Sequence, residues 1–203
     1  IRRMINVMKN DRVILAVIHD FLTDEECDDI LRWSWQDLEK ATVSSTDGKG
    51  QLTEGRTGSH TWVYHNVSPE IERIGQKIAD TVRIPLSHAE PFQVVYYGEG
   101  EMYDYHYDTF DEEDEAFNSI YLDNGGQRLV TALGYLRDVP KGGGTGFNLL
   151  GIEVQPRKGT MIFWHNVLPD TNKRDPFSKH AGLPVLEGEK YAFNLWFRER
   201  EFK

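Results

Sequence analysis

Cysteine is almost missing from this chain: Cys27 stands alone among 203 residues, which excludes any intrachain disulfide and favours a reducing compartment. Its place in a predicted helix marks it as a buried structural thiol. Long apolar runs are missing too. No stretch approaches the roughly 18 consecutive apolar residues that a spanning helix needs, and Ile1-Arg2-Arg3-Met4 lacks the pattern of a secretory leader. A targeting segment removed ahead of this point would leave no trace. The expectation is a soluble, cytoplasmic protein with no membrane contact. Positive charge is the third deficit, with 23 Lys and Arg against 33 Asp and Glu and a net charge of -10. Nucleic-acid binding normally shows as a basic patch or stripe that neutralises phosphates, so it is excluded as a function class. A neutral or basic partner fits this balance. The acidic run Asp111-Glu112-Glu113-Asp114-Glu115 reads as a solvated loop.

Hydrophobic residues at 39% and charged residues at 28% are ordinary for a folded globular chain. The length suits one domain, 1–203, with a sizeable core. Neither a linker nor an internal repeat is visible.

Helical signals come first along the chain. Thr23 and Glu26 are spaced as a capping box, and Cys27, Ile30, Leu31, Trp35 and Leu38 follow at near-helical spacing, predicting a helix from about Asp24 to Lys40. Residues 44–59, rich in Ser, Thr, Gly and charge, read as a loop. Ser68-Pro69 opens a second helix with the stripe Ile71, Ile74, Ile78 and Val82, ending before Pro85. Strand-type runs cover Val13–Ile18 and, from Phe92 onward, Gln93–Tyr97, Tyr103–Tyr107, Val130–Leu136, Ile152–Gln155, Thr160–Trp164 and Tyr191–Phe197. Helices early and strands late give an α+β, mainly β domain whose strands form a sandwich or barrel.

His106-Tyr107-Asp108 is the chemically suggestive motif. On a strand, a two-residue step puts both side chains on one face, where they can share a metal. Two imidazoles and one carboxylate on one face of an octahedral Fe(II) leave three positions open for co-substrate and dioxygen, so a second distant His would complete a non-haem oxygenase site. Alone, the triplet carries little, because a chain with seven histidines produces such pairs by chance. His19, His60, His65, His88 and His165 have no partner pattern and read as core-edge or surface residues.

The weight comes from ordered surroundings. Gln93 to Phe110, Gly125-Gly126-Gln127-Arg128, Tyr135-Leu136, Gly142 to Thr145, Lys158-Gly159-Thr160 with Phe163-Trp164, His180-Ala181-Gly182 and Gly188-Glu189-Lys190 through Trp196 together resemble a prolyl 4-hydroxylase catalytic domain. Phe21 to Cys27 and Arg56-Thr57-Gly58 extend the resemblance over nearly the whole chain. It implies a double-stranded β-helix, the jelly roll, with N-terminal supporting helices. It also implies Fe(II) held by His106, Asp108 and His180, and 2-oxoglutarate anchored by Lys190. Tyr97 and Thr145 would hydrogen-bond the co-substrate carboxylate, with Trp196 packing nearby.

The implied reaction uses dioxygen to hydroxylate proline at C4 in peptides or proteins, coupled to decarboxylation of 2-oxoglutarate to succinate, with ascorbate rescuing oxidised iron. Arg128, Tyr103 and Arg56 are the implied groove residues for a proline-containing substrate. Strict alternation sets Tyr103 and His106 on opposite faces, so both can face the site only across a bulge. In the related halogenases a small residue replaces Asp108, so this chain is expected to hydroxylate. The nucleic-acid dealkylases would have Arg where Lys190 stands. A hydroxylase of a free amino acid or other small molecule is the alternative, followed by a non-catalytic binding module of the same fold. Two departures stand out. Gly142-Gly143-Gly144-Thr145-Gly146-Phe147 lacks the usual Glu and Pro of its segment, and Leu183 replaces a Cys frequent in the animal collagen enzymes.

Overall fold

A computed structural model describes residues 3–46, 57–111, 113 and 122–203. Arg56 and most of the acidic run after Phe110 lie outside the described residues. Among the described residues thirteen strands and two α-helices follow in the order β1 Met4–Lys9, β2 Arg12–Ile18, α1 Asp24–Thr46, β3 Ser59–Val63, α2 Pro69–Val82, β4 Phe92–Tyr97, β5 Tyr103–His106, β6 Arg128–Tyr135, β7 Lys141–Gly142, β8 Thr145–Phe147, β9 Ile152–Val154, β10 Met161–His165, β11 His180–Gly182, β12 Val185–Glu187 and β13 Lys190–Arg198. A seven-stranded sheet, ordered β1-β2-β10-β6-β13-β4-β3, is accompanied by a four-stranded sheet, β5-β11-β8-β9, and a small β12-β7 pair.

The helices start where their caps dictate. Glu26 N–H donates to Thr23 Oγ1 at 3.1 Å, and Thr23 N–H donates to Glu26 Oε1 at 2.9 Å, closing the capping box. Ser68 Oγ accepts from Ile71 N–H at 3.2 Å, and α2 stops at Arg83 in the left-handed region. The expected loop over 44–59 is corrected at both ends: α1 runs on to Thr46, and Ser59 already belongs to β3. Nothing in residues 39–46 breaks a helix, since Pro and Gly are both missing there.

Both faces of the seven-stranded sheet are covered, which is why β13 reads as a continuous apolar run. Its Tyr191, Phe193, Leu195 and Phe197 join Ile30, Leu31, Ile71, Ile74 and Ile78 in a core beneath the helices. On the opposite face Ala192 joins Val95, Tyr97, Leu133, Tyr135, Phe147 and Trp164 in a second core. Cys27 is fully buried in the first core, and burial pushes its thiol up to about 12. A thiol held protonated in this way is structural and unreactive.

Candidate active site

The second core opens into a cavity of about 210 Å³, and its lining includes His106, Asp108, His180, Thr145, Lys190, Tyr97, Tyr103, Arg128 and Trp196. Nine of the ten residues singled out in the sequence therefore meet in one place; the tenth, Arg56, lies outside the described residues.

Sheet pairing explains the convergence. β11 pairs with β5 so that His180 faces His106 directly, while Gly182 pairs with Tyr103. Three steps on β5 thus match two on β11, and this bulge turns Tyr103 to the same side as His106. The two rings stack with centroids 3.7 Å apart. Asp108 lies just past the end of β5, and its Oδ1 sits 3.4 Å from both His106 Nε2 and His180 Nε2. The three ligand atoms lie within 4.8 Å of one another.

Hydrogen bonds aim these atoms inward. His106 Nδ1–H donates to the Asp104 carbonyl at 2.7 Å, and His180 Nδ1–H donates to the Ser178 carbonyl at 2.8 Å. That fixes the tautomer and leaves both Nε2 lone pairs for a metal. Ser178 is held in turn by Asp175, whose backbone carbonyl accepts from Ser178 Oγ at 2.7 Å and whose side chain pairs with Arg12 at 2.8 Å. Asp108 Oδ2 accepts from Thr131 Oγ1 at 2.7 Å and from the Trp196 indole N–H at 3.0 Å. Thr131 Oγ1 accepts from Asn166 Nδ2 at 2.8 Å, and Asn166 Oδ1 accepts from Trp164 Nε1 at 2.9 Å. One carboxylate oxygen is therefore saturated and the other is left to the centre.

Electrostatics agree with a cation site. Burial works against ionisation of Asp108, but the charges and hydrogen bonds of His180 and His106 outweigh it and hold the carboxyl well below its usual range. Burial likewise opposes charge on His180, yet Asp108 raises its pKa. A 2+ ion would satisfy the same negative potential that raises His180. The donor set of two imidazoles and one carboxylate, all oriented, fits Fe(II).

Lys190 enters the same cavity from the first position of β13, paired across the strands with Tyr97 of β4. It is 4% exposed, and burial lowers its pKa to about 8. Its Nζ lies 5.4 Å from the Tyr97 ring centroid and 5.8 Å from that of Tyr135. Among the described residues no carboxylate pairs with it. A buried ammonium facing aromatic rings is costly and is relieved by an anion.

Thr145 starts β8 and hydrogen-bonds the phenol of Tyr135, which also donates to the Val154 carbonyl at 3.3 Å. Burial raises the Tyr135 pKa, keeping the phenol a neutral donor. The glycine segment before Thr145 links β7 to β8 despite its missing Glu and Pro. Gly142 has a φ of +75°, and a Cβ there would strike the Pro184 carbonyl, so the tight β7 to β8 passage requires glycine.

Arg128 lines the cavity, but its guanidinium is committed elsewhere: Nε and Nη2 donate to the two oxygens of buried Glu90 at 2.8 and 2.9 Å. Its cationic face lies 3.8 Å from the Trp196 ring centroid. Glu90 also accepts from Arg198 Nε at 2.6 Å. Sequence alone gave no role to Glu90, Thr131, Asn166 or the hydroxyl of Tyr135. Their available signal was a polar group inside or beside an apolar strand run.

The family model described as the 2OG-Fe(II) oxygenase superfamily matches residues 92–198. The chain is 36% identical over 207 residues to probable prolyl 4-hydroxylase 3 of Arabidopsis thaliana, covering 92% of this chain and 70% of that protein. This chain belongs to the prolyl 4-hydroxylase family. Within that family it is also 36% identical over 184 residues to prolyl 4-hydroxylase subunit alpha-1 of Gallus gallus, spanning 89% of this chain but 35% of the subunit. The viral collagen prolyl hydroxylase of Paramecium Bursaria Chlorella virus-1, solved with 2OG, superposes with a TM-score of 0.69 at 30% identity, covering 91% of this chain and 96% of that one. The prolyl 4-hydroxylase fold is thus the double-stranded β-helix with helices packed on its larger sheet. Among the described residues no helix is long and apolar enough to cross a membrane.

Proposed function

We propose that the chain hydroxylates proline residues in peptides or proteins at C4, consuming 2-oxoglutarate and dioxygen and releasing succinate and carbon dioxide. The observation that carries this reading is one cavity holding an inward-aimed His-Asp-His set and, apart from it, a buried ammonium with no anionic partner among the described residues.

His106, Asp108 and His180 are the residues that would hold Fe(II). When bound, Fe(II) and 2-oxoglutarate supply the oxidising chemistry, and ascorbate restores iron after uncoupled turnover. The chain supplies binding, orientation and exclusion of water. Lys190 grips the distal carboxylate of the co-substrate through a charge-assisted hydrogen bond made strong by its dry surroundings. Tyr97 and the Thr145 hydroxyl supply further contacts to that carboxylate, and Tyr135 fixes the Thr145 rotamer. Trp196 and Thr131 hold Asp108 so that a single oxygen points at the centre. Tyr103, stacked on His106, and Arg128, held flat on Trp196, form the walls a proline ring would meet; Arg56 is proposed to join them. Proline-rich peptides suit such a groove, because the polyproline II helix is preformed and its rings stack on aromatic side chains.

The test is succinate formation with Fe(II), 2-oxoglutarate and ascorbate, with and without proline-rich peptides, followed by the mass of the peptide. Peptide-stimulated turnover with one oxygen added per modified residue supports the reading. Turnover stimulated by free proline and not by peptides overturns it in favour of a small-molecule hydroxylase.

A further inference from the structure

The hydrogen bonds behind Asp108 form a chain whose two ends fix its direction. At one end the Trp164 indole N–H can only donate, and at the other the Asp108 carboxylate can only accept. Trp164 Nε1 donates to Asn166 Oδ1 at 2.9 Å, so the amide oxygen of Asn166 must face the indole. Its Nδ2 is thereby turned to Thr131 Oγ1, 2.8 Å away. The Thr131 hydroxyl accepts that bond and has one proton left to give, which goes to Asp108 Oδ2 at 2.7 Å. The orientation of a side-chain amide is ordinarily ambiguous, and here the indole settles it. Trp164, Asn166 and Thr131 are all fully buried, so bulk water does not compete for these groups.

Asn166 reaches the other side of the site through its backbone. Its carbonyl accepts from the Asp175 N–H at 2.9 Å. The Asp175 carbonyl accepts from Ser178 Oγ at 2.7 Å, and the Ser178 carbonyl accepts from His180 Nδ1 at 2.8 Å. Trp164 adds a second link, because its ring packs against that of His180 with centroids 4.7 Å apart. Asn166 itself follows directly on β10, and its N–H donates to the Leu129 carbonyl of β6 at 2.8 Å. Both strands belong to the large sheet, whereas His180 lies on β11 and Asp108 just past β5, in the smaller one. Two ligands carried by one sheet are thus referred to a single anchor on the other.

Resting on the reading that His106, Asp108 and His180 hold Fe(II), we propose that Asn166 is a positioning residue for that centre. It holds Thr131 as an obligate donor to Asp108 Oδ2, so that Oδ1 stays aimed at the metal. Asn166 touches neither metal nor substrate and acts on the carboxylate through Thr131. Each donor in such a chain polarises the next, so the chain orients Asp108 more firmly than separate bonds would. An apolar side chain of similar size at 166 fills the space but leaves the Thr131 hydroxyl without the bond that holds its rotamer.

The experiment measures Fe(II) affinity under nitrogen, by competition with a chelating dye, with urea unfolding of each metal-free protein run beside it. Wild type is compared with Asn166→Leu, Thr131→Val, Thr131→Ser and the double variant Asn166→Leu with Thr131→Val. Asn166→Leu weakens Fe(II) binding by about 2- to 10-fold, the worth of one neutral hydrogen bond. Thr131→Val weakens it by about 10- to 100-fold, and Thr131→Ser, which keeps the hydroxyl, restores most of the loss. The double variant binds Fe(II) as Thr131→Val does, because Asn166 then has nothing to act through. Trp164→Phe removes the head of the chain and keeps a ring against His180; it gives the same small loss alone and none beside Thr131→Val, so the test stands even if Asn166→Leu fails to fold. Losses that multiply in the double variants overturn the positioning role, whatever urea unfolding shows, because a general loosening of the scaffold adds to any other change. Wild-type affinity in both Asn166→Leu and Trp164→Phe overturns it too, as does a Thr131→Ser protein as weak as Thr131→Val. A wild type that binds no Fe(II) overturns the metal-site reading and the positioning role with it.

Discussion

Lys190 shows how much one residue's surroundings determine. Its ammonium is enclosed by aromatic rings and lacks a carboxylate partner among the described residues, so burial alone lowers its pKa to about 8. Anion binding must raise that value again. Below about pH 8 the free protein already carries the proton, and 2-oxoglutarate affinity is flat with respect to this group. Above it, binding requires proton uptake, and affinity declines by up to about tenfold per pH unit. Titration of the Fe(II) protein with 2-oxoglutarate from pH 7 to 9.5 checks this, and a constant affinity contradicts it. Lys190→Met weakens 2-oxoglutarate binding by about 10- to 100-fold, the loss of one charged hydrogen bond. Trp196→Phe keeps the ring but removes the indole N–H from Asp108. Metal affinity, followed by competition with a chelating dye, then falls by about 10- to 100-fold. Retention of full metal affinity would show that Thr131 alone orients the carboxylate.

At the scale of elements, capping signals and apolar β-rich runs explain why the helices and longer strands could be read from sequence. Ser68 is the N-cap of α2, and Ser68→Ala costs about 1 kcal/mol, seen as a fall in Tm of about 2–4 °C by circular dichroism. The runs around β2, β4, β6, β10 and β13 were legible because they are near-continuous stretches rich in β-branched and aromatic residues, the pattern of strands buried on both faces. β7, β8, β11 and β12 hold two or three residues each, too few to display a period. β1 was missed because its residues are almost all exposed, so no apolar face marks it. His106 and Asp108 were legible as a pair from spacing. His180 and Lys190 come from other strands, and only the ordered family motifs linked them to the pair. Tyr103 needed the bulge in β5, which local sequence does not encode. Thr131, Asn166 and Glu90 were hidden because nothing local distinguishes a buried polar residue that orients a ligand from an exposed one.

Across the whole molecule, the buried ion group around Glu90 ties the approach to β4 to β6 and to the end of β13. Arg128 and Arg198 both donate to this one carboxylate, and Arg198 also donates to the Asn124 and Gly126 carbonyls at 3.0 and 2.6 Å. Glu90→Gln leaves two guanidinium groups facing each other with their anion gone, and destabilises the fold by about 3–5 kcal/mol in urea unfolding. Because the same change frees Arg128 from its position on Trp196, the cavity wall loosens together with the scaffold. The larger sheet contributes Lys190 and Asn194 and the smaller sheet His106 and His180 to the lining of the same cavity.

The central claim is that this cavity couples 2-oxoglutarate turnover to oxygen insertion into a peptidyl proline. The most direct measurement is succinate released per oxygen added to a proline-rich peptide, for wild type and His106→Ala. A ratio near one in wild type, with both products lost in the variant, is the predicted result. Succinate formation that no peptide stimulates, or peptide oxidation that survives His106→Ala, would contradict it.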